Sequence, residues 1–163
     1  MIILSIGTNI GNRKANIENA ITALNAIGTV TAVSPIYSSE PWGFESENGF
    51  YNIALIIETS LSPLDLLKET QSIEKELGRT AKTTTAYADR IIDIDIIDYN
   101  NQIINTQTLT LPHSLMHKRN FVLYPLTDIT PDWQHPTLKL TALELKKESN
   151  DTSTIHILNT TID

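Results

Sequence analysis

Residues 90–97 read Arg-Ile-Ile-Asp-Ile-Asp-Ile-Ile, and this alternation is the strongest constraint on what the 163-residue chain can fold into. Successive side chains of an extended strand point to opposite faces, so Ile92, Ile94 and Ile96 share one face while Asp93 and Asp95 share the other. The isoleucine face needs an apolar cover. The aspartate face needs water or cations, because two carboxylates about 7 Å apart along a strand repel each other. Asp is also a poor strand former, so two in mid-strand suggest a purpose. Hard oxygen ligands in this arrangement suit Mg²⁺, which takes one or two carboxylates and fills its octahedron with water and phosphate oxygens. Read alone, such a string is more often a solvated strand face, and it is the neighbouring arginines, Arg79 and Arg90, that favour a site.

The cover for the isoleucines is legible upstream. Residues 2–6, IILSI, read as a short buried strand that Gly7-Thr8-Asn9 breaks. From Arg13 to Ala26, Ile17, Ala20, Ile21 and Leu24 recur at helical spacing, and Gly28 closes that helix. Residues 29–37 suit an edge or bulged strand around Pro35, followed by a loop over 38–48. Residues 50–58 alternate again: Phe50, Asn52, Ala54 and Ile56 lie on one face, Tyr51, Ile53, Leu55 and Ile57 on the other. Ser62 then caps a second helix that has Pro63 at its first position, Leu66, Thr70, Ile73 and Leu77 as its stripe and Gly78 as its stop.

The order strand, helix, strand, strand, helix, strand predicts an α+β fold, a ferredoxin-like two-layer sandwich spanning residues 1–163 as one domain. Two helices cover one face of an antiparallel sheet, and the other face is left for a site. The last third adds residues 109–113, a short helical stretch over 121–126, a polar stretch over 148–153 expected to be a loose connection, and an alternating piece over 154–158.

A formal net charge of −7 argues against a broad nucleic-acid surface, which needs clustered Lys and Arg. There is no cysteine, which excludes disulfides, thiolate metal sites and a cysteine nucleophile. No basic leader with a long apolar run opens the chain and no apolar run is long enough to span a bilayer, so a cytoplasmic protein is expected. Nothing calls for more than one copy, and a monomer is the expectation. The only arginines are Arg13, Arg79, Arg90 and Arg119, and the last three fall in or near the most polar motifs.

Seven strings in fixed order then resemble one family: S-I-G-T-N-I-G-N at 5–12, Y-x-S-E-P-W-G at 37–43, F-Y-N-I-A at 50–54, I-E-K-E-L-G-R at 73–79, R-I-I-D-I-D-I at 90–96, L-P-H-S-L-M-H-K-R at 111–119 and F-V-L-x-P-L at 121–126. Over nearly its whole length the chain resembles the hydroxymethyl-dihydropterin pyrophosphokinases of folate synthesis. The resemblance implies ATP-dependent pyrophosphoryl transfer to 6-hydroxymethyl-7,8-dihydropterin. It makes Asp93 and Asp95 ligands of two Mg²⁺ ions that bridge the ATP phosphates. Glu74, Arg90, Ile96, His113 and Arg119 then match the ATP side, with Arg79 and Arg90 assisting the transfer. Ser39, Trp42, Phe50, Asn52, Tyr87 and Phe121 match the pterin side. An aromatic plane and an amide on one strand face, Phe50 and Asn52, suit a flat heterocycle with polar edges.

By residue type alone, Phe50 and Phe121 are as readily core, His113 is a surface loop histidine and Glu74 a solvated helix residue. The chain departs from the family where a second loop arginine is usual, offering Ala81 and Lys82, and where a Trp-Gly-Pro triplet is usual, offering Tyr87-Ala88-Asp89. The threonine-rich stretch between Arg79 and Arg90 is expected to be a lid that orders over bound ligands. Two rivals remain at this point: another Mg²⁺-dependent phosphotransferase or nucleotide hydrolase, and a ferredoxin-like binding module.

Overall fold

The apolar faces of the predicted strands do meet helices. A computed structural model describes residues 1–40, 49–78 and 90–158. In chain order it runs β1 (Ile2–Thr8), α1 (Arg13–Asn25), β2 (Thr29–Val33), β3 (Tyr37–Ser39), β4 (Phe50–Glu58), α2 (Pro63–Glu76), β5 (Asp93–Tyr99), β6 (Ile104–Asn105), β7 (Thr110–Leu111), α3 (Asn120–Ile129), α4 (Ala142–Glu148) and β8 (Ile155–Ile157). The main sheet is antiparallel with order β5-β1-β4-β3-β8, and β2 also pairs with β4; β6 and β7 form a separate ribbon. The α+β expectation holds. Among the described residues no helix is long and apolar enough to cross a membrane.

Local chemistry sets the helix ends. Asn12 accepts from Ala15 N at 3.1 Å to start α1, and Ser62 accepts from Asp65 N at 3.2 Å to start α2, with Pro63 at the first helical position. Gly78 follows α2 at φ +110°, a conformation that other residues rarely adopt. Both helices lie on the face carrying Leu4, Ile6, Ile53, Leu55, Ile92, Ile94 and Ile96, and together they close the larger core. The predicted strand over 29–37 divides at Pro35, which has no N–H for the ladder. Ser34 bridges the break: its N donates to Ala54 O and its Oγ accepts from Ala54 N, both at 2.9 Å.

The second face of the sheet is not wholly open. Ile3, Ala54 and Ile97 pack there against Val122, Leu123 and Leu126 of α3, with Trp133 and Leu145 behind them. A bulge makes this possible: Ile3 pairs with Asp98 and Leu4 with Ile96, so Ile97 is an extra residue and both it and Asp98 meet the second core. The helix predicted over 121–126 is therefore longer and carries a layer of its own. The polar stretch 148–153 is tied down rather than loose, because Asn120 N donates to Asp151 Oδ2 at 2.8 Å and Asn120 Nδ2 to Asp151 O at 2.9 Å. Tyr37 OH donates to Asp128 and joins β3 to α3; burial, then Asp128, pushes its phenol well above the ordinary range, so it stays protonated.

His117 and His135, edge to face at 6.3 Å, lie beside Trp133 behind α3. Burial holds both below the ordinary 6.5, reinforced by Lys118 for His117 and by His117 for His135. The unfolded chain therefore binds protons at these sites before the folded one does, and stability falls as pH drops through that value. Thermal melts are expected to show Tm decreasing from about pH 7 to about pH 5.5. The slope should flatten in His135→Gln; an unchanged slope would remove His135 as a contributor to it.

Candidate functional site

What α3 leaves uncovered is the end of the sheet where β1 finishes and β4 and β5 begin. The register aligns Asp93 with Gly7 and Gly7 with Asn52, so one row crosses three strands from a carboxylate to an amide. The next row sets Asp95 opposite Ser5. Two strand spacings of about 4.8 Å separate Asp93 from Asn52. Ser5, Gly7, Ser39, Phe50, Asn52, Arg90, Asp93, Asp95, Arg119 and Phe121 surround a single cleft here, with Glu40 at its rim.

Each wall is fixed from behind. Asn52 Nδ2 donates to the Ser39 hydroxyl at 2.7 Å, which orients the amide and leaves Oδ1 facing Gly7. A Cβ on Gly7 would stand 3.1 Å from that oxygen and 3.6 Å from the Phe50 ring, so the missing side chain is part of the cleft floor. Phe121 is in the first turn of α3, and the Arg119 guanidinium lies 5.5 Å from its ring centroid. Arg13 holds the entry to β4: its Nη1 donates to Gly49 O at 2.9 Å, and its guanidinium sits 4.0 Å over the Tyr51 ring.

On the acidic wall Arg90 Nη1 lies 3.1 Å from Asp93 Oδ2. His113 Nδ1 accepts from Leu115 N at 3.2 Å, so a neutral ring carries its proton on Nε2, which is 3.9 Å from Asp95 Oδ2. Glu74 is not a solvated helix residue. It is buried, and its Oε2 accepts from Ile94 N at 3.1 Å, pinning β5 between the two aspartates from the helix side. Ile96 is buried in the larger core, which leaves its main chain for any contact with a ligand.

The two aspartates fit a divalent cation. Their carboxylates share the cleft face and are partly solvent-accessible, with side-chain exposures of 18% and 24%. Among the described residues no group of three or more potential protein ligands forms. An ion here would draw the rest of its shell from water and phosphate oxygens, as Mg²⁺ commonly does.

Ser39, Phe50, Asn52, Arg90, Asp93, Asp95, Arg119 and Phe121 thus come together, with His113 at the edge and Glu74 and Ile96 behind. Trp42, Arg79, Tyr87, Ala81 and Lys82 lie outside the described residues, as does nearly all of the stretch expected to form a lid. Sequence reasoning missed Gly7 and Ser5 as site residues. Period two along 5–7 would have placed Ser5 and Gly7 on one face.

Fold and cleft together define an α+β domain with a small-molecule site, acidic at one end and aromatic at the other, on the uncovered end of its sheet. The chain belongs to the 7,8-dihydro-6-hydroxymethylpterin-pyrophosphokinase family, an enzyme family whose sequence profile matches residues 3–131. It is 38% identical over 148 residues to the 2-amino-4-hydroxy-6-hydroxymethyldihydropteridine pyrophosphokinase of Aquifex aeolicus, covering 91% of each chain. It is 40% identical over 156 residues to a folic acid synthesis protein of Dictyostelium discoideum, covering 96% of this chain and 23% of that much longer one. Among solved structures, the Plasmodium falciparum HPPK-DHPS wild type with pteroate superimposes with a TM-score of 0.73 at 17% identity. That match covers 90% of this chain and 42% of the other, and it bears on the fold alone.

Proposed function

We propose that this chain transfers a pyrophosphoryl group from ATP to the hydroxymethyl oxygen of 6-hydroxymethyl-7,8-dihydropterin, releasing AMP, as a step of folate biosynthesis. The observation that carries this reading is the row Asp93, Gly7, Asn52. It brings a carboxylate and an amide to one face with only a glycine between them, which supports reading the acidic side as a phosphate wall and the amide side as a slot for a flat, polar-edged ring. In the reaction the alcohol oxygen attacks the β-phosphorus, the bond from that phosphorus to the α,β-bridging oxygen breaks, AMP leaves, and the hydroxyl proton passes to solvent.

The protein's part is alignment and charge. Asn52 presents Oδ1 to a ring donor, and Phe50 and Phe121 supply faces for stacking. Arg90 and Arg119 direct guanidiniums at phosphate oxygens, where bidentate contacts strengthen as negative charge develops. Asp93 and Asp95 would hold two Mg²⁺ ions, which supply neutralisation of phosphate charge and orientation of attacking and leaving oxygens. His113, with Nε2 3.9 Å from Asp95, stands at the edge of the same wall, within reach of a phosphate bound there. A Walker phosphate loop is absent from the sequence, so phosphate binding rests on these side chains and on metal.

Phosphorus NMR and chromatography of a reaction containing ATP, Mg²⁺ and the pterin test the proposal. AMP and pterin diphosphate should form together, and only with all three present. ADP, or phosphate released without pterin, would overturn it in favour of a different phosphotransferase or hydrolase. A finer test uses Gly7→Ala. The added methyl crowds Asn52 Oδ1, so pterin affinity should fall by about 10-fold while affinity for an ATP analogue changes little, the scale of a disturbed hydrogen bond. Calorimetry with each ligand reads both. Equal affinities for the pterin before and after would mean that Gly7 is not part of its pocket.

A further inference from the structure

The first paired residue of β5 is Asp93, opposite Gly7, yet Arg90, three residues before it, is held as firmly as if the ladder extended that far. Asn9 N donates to Arg90 O at 3.1 Å, and Arg90 N donates to the Asn9 side-chain carbonyl at 2.7 Å. The amide of Asn9 thus stands where a strand would present a backbone carbonyl. Asn9 is itself buried at 3% exposure, so water does not readily replace this bond.

We propose that Asn9 is a positioning residue for Arg90, fixing the backbone from which that guanidinium reaches Asp93 and the cleft. The inference rests on the reading of the cleft as a pyrophosphoryl-transfer site. An arginine side chain is long, and the direction of its fork depends on a fixed Cα. In the structure the fork pairs with Asp93 at 3.1 Å. When phosphate oxygens become its partners the ion pair loosens, whereas both backbone bonds to Asn9 stay in place and keep the fork in the cleft. The strand end has a second support. Asn16 Nδ2 donates to Ile91 O at 3.3 Å, to Ile10 O at 2.9 Å and to Thr8 Oγ1 at 3.1 Å, and none of these bonds involves the Asn9 amide.

A double-mutant cycle separates positioning from general support. Parent, Asn9→Ala, Arg90→Ala and the double variant are compared for kcat/KM of transfer to the pterin, for affinity toward a non-hydrolysable ATP analogue with Mg²⁺, and for Tm. Asn9→Ala should lower kcat/KM by about 10-fold, the scale of one lost hydrogen bond to a buried positioning group. The double variant should be no worse than Arg90→Ala. Multiplication of the two losses would overturn the proposal, since Asn9 would then act without Arg90. Absence of turnover in the parent would instead overturn the functional reading, and the same cycle would then be read in affinity for the ATP analogue, with the same two outcomes.

Discussion

Replacing Asp93 or Asp95 by Ala is expected to lower kcat by about 10²-fold or more, the scale for removing one preorganised electrostatic group. Neither side chain belongs to either core, and both are partly exposed on the cleft face, so the fold should persist. The two variants should still differ. Asp93→Ala also removes the partner of Arg90 at 3.1 Å, so nucleotide affinity shifts along with turnover. Asp95→Ala leaves that pair intact and removes the acceptor facing His113 Nε2. Single-turnover rates measured across a Mg²⁺ titration decide the matter. Activity equal to the parent at limiting Mg²⁺ would sink the assignment of these carboxylates to the metal.

The parts of this molecule that were legible from sequence are those governed by local periodicity. Alternation in 50–57 and 92–96 set Phe50 with Asn52 and Asp93 with Asp95 on faces opposite Ile53, Ile57, Ile92, Ile94 and Ile96, and those five isoleucines do enter the larger core under the helices. Ser62-Pro63 marked the start of α2 for a purely local reason. The second helical layer was not legible, because the apolar residues that receive it on the sheet are few. One of them, Ile97, exists only through a bulge that breaks the period. Helix α4 did leave a signal: Thr141 and Glu144 form a capping box, with Glu144 N donating to Thr141 Oγ1 and Thr141 N to Glu144 Oε1, both at 3.2 Å. That T-A-L-E string passed unread. Asn9 and Glu74 are of another kind. Their work is done on backbone groups about eighty and twenty positions away in the chain, and no spacing rule in a single sequence points there.

The amide of Asn52 offers the sharpest test of the aromatic end of the cleft. Asn52→Ala is expected to weaken pterin binding by roughly 1 to 3 kcal/mol, a 5- to 150-fold loss, the cost of leaving polar atoms of a buried ligand unpaired. The structure makes this specific. Asn52 is almost fully buried, and one N–H of its Nδ2 is engaged by Ser39 at 2.7 Å, which orients the amide with Oδ1 toward Gly7 and the cleft. A heterocycle edge rich in N–H donors matches that acceptor. A ring turned to present its carbonyl does not, because the fixed Oδ1 would repel it. Ser39→Ala should therefore give a milder loss in the same direction, since the amide survives but is free to rotate. ATP affinity should barely change in either variant, because Asn52 stands two strands away from Asp93. Calorimetry on both variants with pterin and, separately, with an ATP analogue and Mg²⁺ gives the four numbers needed. Equal losses for the two ligands would mean that Asn52 supports β4 as a whole, and the amide would then have to be withdrawn from the pterin slot.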